Sequence, residues 1–221
     1  MVNTSHIAHM LAQHFKIDSY EIDPHTGKVN TPGFVMLNTQ LSELPVQFGH
    51  VGGSFWCDSN QLTSLKGAPD HVGGDLLCND NKLIRLDTQI SHVGGTFSCC
   101  NNQLASLKGS PTWVGEDFYA DRNQITSLEG APDHVGGRFN CIYNPVTSLS
   151  GAPEHVGSTF AITYDSNLPL LRFTQYTQVY LHRAPDDLVG LVHKYAGKGK
   201  HHMLNCALEL KQAGFGGNAR W

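Results

Sequence analysis

Apolar positions along the chain recur in columns 21 residues apart, an interval too long for a helical or a strand period. Val51, Val72, Val93, Val114, Val135 and Val156 form one column; Phe55, Leu76, Phe97, Phe118, Phe139 and Phe160 form a second. Leu62, Leu83, Leu104, Ile125 and Val146 follow, then Leu65, Leu86, Leu107, Leu128 and Leu149. Between them runs a polar column, Asn60, Asn81, Asn102, Asn123 and Asn144. The unit reads V-G-G-x-F-x-C-x-x-N-x-L-x-S-L-x-G-A-P-x-H, and a degenerate earlier copy starts at Phe34 and runs through Leu41 and Leu44. A unit this short cannot bury its own apolar face, so units must stack. The pattern predicts a solenoid with one short strand per repeat around F-x-C, coils about 4.8 Å apart, and turns rather than helix on the opposite side.

Each invariant column has a structural reading. Asparagine amides are expected to satisfy turn backbone groups that no sheet partner reaches. Gly-Gly and Gly-Ala-Pro supply tight turns. Cys57, Cys78, Cys99 and Cys141, with Ala120 in the fifth place, fill an inward column as small hydrophobes. Rungs are too far apart for disulfides between neighbours, which favours a reducing compartment. His50, His71, His92, Trp113, His134 and His155 precede the valines. Since Trp113 can neither ligate a metal nor change charge, a stack of flat rings is the expected role, with pH sensing, metal capture and ligand contact as alternatives.

The ends break the repeat. Residues 1–30 are expected to form an N-terminal cap: a helix capped by Thr4 or Ser5 and running to about Lys16, then two short strands around a turn between Tyr20 and Val29. The solenoid is assigned to residues 31–163. Residues 164–221 are expected to close the last coil and to carry a helix pair, Asp186 to Tyr195 and about Lys200 to Ala213. Met203, Leu204, Ala207, Leu208 and Leu210 are the apolar positions of the second helix, and Cys206 is expected to face inward.

Function is sought where the columns vary. Positions flanking the inward Phe and Cys point outward and should form the concave face. They include Trp56, Asp58, Asp75, Leu77, Asp117, Tyr119, Asp121, Arg138 and Asn140. This acidic face with apolar anchors suits protein recognition. The net charge of −4 argues against wholesale nucleic-acid coating. Charge is nevertheless uneven, +3 from Tyr164 to Trp221 and −7 before it. Lys194, Lys198, Lys200, His201, Lys211 and Arg220, with Arg183 and His202, are therefore candidates for an anionic ligand, a nucleotide or nucleic acid.

No phosphate-cradling loop, nucleophile elbow or metal motif occurs, so the chain is read as non-enzymatic, without cofactor or metal. No apolar run approaches membrane-span length, and the N-terminus lacks the pattern of a secretory signal.

Most of the chain resembles leucine-rich-repeat proteins of tailed bacteriophages. The resemblance is carried by Leu41-x-x-Leu44-Pro45-Val46-x-Phe48-x-x-Val51, by the V-G-G-x-F-x-C-x-x-N-x-L-T-S-L-x-G-A-P units, and by the ending Lys194-Tyr-Ala-Gly-Lys-Gly-Lys200 … Ala213-Gly-Phe-x-Gly-Asn-Ala-Arg-Trp221. Ile90, Glu116 and Ala120 depart from that pattern. The resemblance implies a virus-encoded protein in the cytoplasm of a bacterial host and brings no settled biochemical function; the acidic, aromatic concave face is what points to binding and modulating or inhibiting a host protein, a defence factor for example. A virion structural role is the other implication. The partner and the oligomeric state are not legible.

Overall fold

The computed structural model describes residues 2–37 and 40–220, and the expected terminal aromatic, Trp221, lies outside them. The chain is a parallel β-solenoid. Seven strands from Val35–Leu37 to Thr159–Thr163 stack in parallel through Phe55–Trp56, Leu76–Leu77, Phe97–Ser98, Phe118–Tyr119 and Phe139–Cys141. An antiparallel strand, Phe15–Ile17, extends this sheet at one end, and a parallel strand, Gln178–His182, extends it at the other.

One strand per repeat was expected; there are two. The His-Val pairs form their own parallel sheet, from Phe48–Val51 through His71–Val72, His92–Val93, Trp113–Val114 and His134–Val135 to His155–Val156. The Gly-Gly turn brings the chain round between the two sheets, so the valine and phenylalanine columns face one core. Every phenylalanine of the column, and its substitute Leu76, is fully buried. Phe97, Phe118, Phe139 and Phe160 stack at 5.1–5.4 Å, and Tyr176 continues the stack against Phe160 at 4.4 Å. Each buried ring contributes about 1.5–3 kcal/mol.

The asparagine column does what its spacing implies. Asn102 Oδ1 accepts the Leu83 N–H at 2.9 Å, and its Nδ2 donates to the carbonyls of Cys78, Cys99 and Cys100, each at 3.1 Å. Asn81, Asn123 and Asn144 repeat the arrangement one rung apart.

The first repeat lies one residue out of the expected register. Val35 pairs with Phe55 and Met36 with Trp56, so Val35 and Leu37 point inward and Phe34 and Met36 outward. A one-residue slip exchanges the faces of a strand. The core at this level is already filled by Phe15 and Phe48, whose rings meet at 5.2 Å and continue to Phe55 at 5.1 Å.

At the N-terminus helix α1 covers Thr4–His14, with Asn3 rather than Thr4 or Ser5 as its cap: the Asn3 side chain accepts the His6 N–H at 3.0 Å. It ends before Lys16 because Phe15–Ile17 pairs with Val35–Leu37 instead. The strands Glu21–Ile22 and Val29–Thr31 form the antiparallel pair expected there. At the other end, α2 (Asp186–Tyr195) buries Leu188, Val192 and Tyr195, and α3 (Met203–Gln212) buries Cys206 and Leu210. A 3-10 turn, Lys200–His202, precedes α3, and Leu204 and Leu208 lie on its exposed side. The final segment folds back: Asn218 donates to the Ser166 and Leu168 carbonyls at 2.8 and 2.9 Å and accepts from Tyr164 Oη at 3.3 Å. Among the described residues no helix is long and apolar enough to cross a membrane.

Candidate functional site

The outward positions of the Phe-bearing sheet lie in columns whose members face the same residue one coil away. Of the nine singled out by the repeat, Arg138 is exposed, and Trp56, Asp58, Asp75, Leu77, Asp117, Tyr119, Asp121 and Asn140 are half-buried. Part of the acidic column is tied into the fold. Asp75 Oδ1 accepts the Thr96 N–H at 2.8 Å, and Asp117 Oδ1 accepts the Arg138 N–H at 2.7 Å. Each carboxylate thereby serves a backbone donor on the next rung. Asp117 Oδ2 also accepts the Tyr119 hydroxyl at 2.8 Å, so Tyr119 is held down rather than free.

Two regions of this face differ in character. Near its N-terminal end the slipped register places Phe34 and Met36 beside Trp56 and Leu77, with the Phe34 and Trp56 rings 5.8 Å apart and Lys16 Nζ 5.9 Å from the Phe34 ring centre. Phe34, Met36 and Lys16 were missed because exact 21-residue spacing makes Phe34 an inward residue. The signal that finds them is the alternation of Val35 and Leu37, two good strand residues with a gap between. Trp56 Nε1 is shielded from solvent with no hydrogen-bond partner among the described residues.

The middle of the face is a polar knot. Asn79 Oδ1 accepts from Ser98 Oγ at 2.6 Å and from the Cys100 N–H at 2.9 Å. Cys100 Sγ donates to Asp121 Oδ1 at 2.7 Å. Burial, with the Asp121 hydrogen bond second, pushes the Cys100 thiol up to about 12. Desolvation raises the other five thiols as well, Cys206 to about 11. All six cysteines are free, and none offers a nucleophilic thiolate at neutral pH.

Some of the basic C-terminal candidates are engaged within the fold. Lys194 Nζ contacts both Glu209 oxygens at 2.7 Å, and Tyr195 Oη donates to the same carboxylate at 2.8 Å. Lys194 and Lys198 lie 5.4 and 5.5 Å from the Tyr195 ring centre. Arg220 Nη2 donates to the Asn167 carbonyl. Lys200, His201 and Lys211 are exposed.

The histidine column is a continuous stack, from His50 through Trp113 to His155, with centroids 4.3–5.5 Å apart and planes within 11° of parallel. Parallel rings aim their nitrogen lone pairs side by side rather than at one point. Among the described residues no group of three or more His, Cys, Asp or Glu side chains converges on a metal position.

Burial, then the neighbouring His50 and His92, holds the His71 imidazole below its ordinary value. A histidine whose folded value is depressed is protonated first in the unfolded chain, so stability falls as pH drops through the ordinary imidazole range. The urea midpoint should therefore decrease between pH 7.5 and 5.5 (a window about one unit either side of the ordinary value), and His71→Gln should shrink the decrease. A midpoint that is flat or rises on acidification contradicts this reading of the stack.

Comparison with protein-family models, with curated proteins and with solved structures finds no match to this chain.

Proposed function

We propose that the chain is a non-enzymatic protein-binding scaffold whose recognition surface is the outer face of the Phe-bearing sheet. The observation that carries this reading is the cluster of Phe34, Met36, Trp56 and Leu77, half-buried apolar side chains on adjacent rungs, bordered by Asp58, Asp75 and Lys16. Side chains held on a sheet lose little further freedom on binding, and large aromatic anchors inside a polar rim are where interface energy concentrates. Asp121, Arg138 and Asn140 extend the rim toward the C-terminus, while the bonds of Asp117 and Tyr119 give those two a framework role.

The solenoid is read as a leucine-rich-repeat one. The asparagine ladder set between inward leucine and cysteine positions supports that class. Residues 1–30 and 164–221 act as its caps: Phe15 covers Phe48 at one end of the ring stack and Tyr176 covers Phe160 at the other. The resemblance to tailed-phage proteins makes the partner a protein of the bacterial host, with inhibition or redirection as the outcome.

Replacing Trp56 and Leu77 together with alanine is expected to weaken the complex roughly tenfold or more, as hot-spot truncations do, and to leave the circular dichroism spectrum unchanged. An unaltered affinity in a folded double variant removes this face from the interface.

A further inference from the structure

The outward column that carries Trp56, Leu77, Ser98, Tyr119 and Asn140 narrows to alanine at Ala161. Ala161 is nevertheless only 4 % exposed. The added strand Gln178–His182 sets Tyr180 opposite Ala161 and Gln178 opposite Thr159. Helix α2 packs beyond that strand, where His193 Nε2 meets the Val179 carbonyl at 2.8 Å. Between these walls opens a cleft of about 520 Å³, lined among others by Arg138, Thr159, Gln178, Tyr180 and His193. That volume lies within the range of small-molecule sites, roughly 300–1,000 Å³.

Its lining has one chemical sign. The chain is acidic overall, yet no carboxylate is among the cleft's lining residues. Arg138 is exposed and makes no ion pair with a described residue. The acid one rung before it, Asp117, is already engaged by the Arg138 backbone N–H and the Tyr119 hydroxyl. Thr159 Oγ1 donates to Gln178 Oε1 at 3.1 Å, which fixes that amide and leaves its Nε2 hydrogens as donors. The bond from His193 Nε2 to a carbonyl makes this nitrogen the protonated one and leaves Nδ1 to the second role. Tyr180, 50 % exposed, stands beside the small Ala161 on the neighbouring strand, its hydroxyl 3.5 Å from His182 Nδ1.

We propose that this cleft binds a small molecule carrying one oxyanion, a phosphate or a carboxylate, joined to a flat ring. The oxyanion meets the Arg138 fork and the Gln178 amide, the guanidinium's paired N–H groups matching two oxygens of a carboxylate or a phosphate. The ring lies against Tyr180 above Ala161. The site is separate from the Trp56 and Leu77 cluster and does not depend on it.

Isothermal titration of the full chain with two probes tests this: AMP for the phosphate class and phenylpyruvate for the carboxylate class. Inorganic phosphate and adenosine serve as half-probes. At least one ring-bearing anion should bind at a single site in the millimolar range or tighter, and more tightly than either half-probe. Whichever of the two binds better identifies the source of the oxyanion. Arg138→Gln should weaken binding roughly tenfold or more, the worth of a charged hydrogen-bonded pair, Arg138→Lys by less, and Trp56→Ala not at all. Ala161→Leu should fill the floor and abolish binding; should it not fold, the exposed Arg138 substitution still decides. No binding of either probe at millimolar concentration, or binding that survives Arg138→Gln, overturns the proposal.

Discussion

Replacing Asn102 with leucine is expected to destabilise the chain by about 3 kcal/mol or more, although the two side chains share the same branched heavy-atom skeleton. The carbonyls of Cys78, Cys99 and Cys100 each keep another donor, from Asn81, Asn123 and the Asp80 N–H respectively. The Leu83 N–H, by contrast, has Asn102 Oδ1 as its partner and is left buried and unsatisfied. That orphan costs about 1–3 kcal/mol, and three lost bonds of about 1 kcal/mol each add to it. The lesion sits midway along a structure whose repeats touch only their neighbours. It should therefore also lower the urea m-value, as the two halves begin to unfold separately. A loss under about 1 kcal/mol in urea denaturation would mean that the ladder is dispensable.

The second large effect belongs to the first glycine of the Gly-Gly pair. A Cβ at Gly94 would stand 2.0 Å from the Gly73 carbonyl oxygen and 2.9 Å from its carbon, with backbone on both sides of the contact. Relief requires adjacent coils to part, which strains the bonds from the Gly94 N–H to Val72 and from the Gly95 N–H to Gly74, each 2.9 Å. Gly94→Ala is expected to cost about 3 kcal/mol or more, or to prevent folding. Gly190 is the control: it lies within α2, and a Cβ there meets nothing within 4 Å. Gly190→Ala should raise stability by about 0.5–1 kcal/mol, since only backbone entropy changes. Similar losses at the two positions in thermal unfolding would contradict the close approach of the coils.

The repeat made the solenoid legible because its columns are set by local rules that hold at every rung. Phe97 and Cys99 point inward by strand alternation, and Asn102 follows at the spacing that lets its amide reach two coils. What was not legible depended on other parts of the chain. The two-residue His-Val strands are too short to announce themselves and exist because stacked neighbours pair them. The slip at Val35 follows from Phe15 and Phe48 already occupying the core, and Phe15 arrives there by leaving the helix its spacing suggested. The site was legible in position but less so in role. Asp117 and Tyr119 read as recognition residues from their variability; the structure adds that Asp117 accepts the Arg138 N–H one rung on and the Tyr119 hydroxyl on its own rung. Arg138 read as one member of an acidic face and also lines a cleft that the spacing did not announce, because the strand Gln178–His182 and α2 form its other walls.

The reading of the outer face as a protein-binding surface is tested most directly by paired affinity capture from nuclease-treated bacterial lysate. Wild-type chain and the Trp56→Ala, Leu77→Ala variant would be used side by side, each checked for an intact fold. The account predicts one stoichiometric host protein held by the wild type and lost by the variant. Equal retention by both, or capture that disappears once nucleic acid is digested, would contradict it.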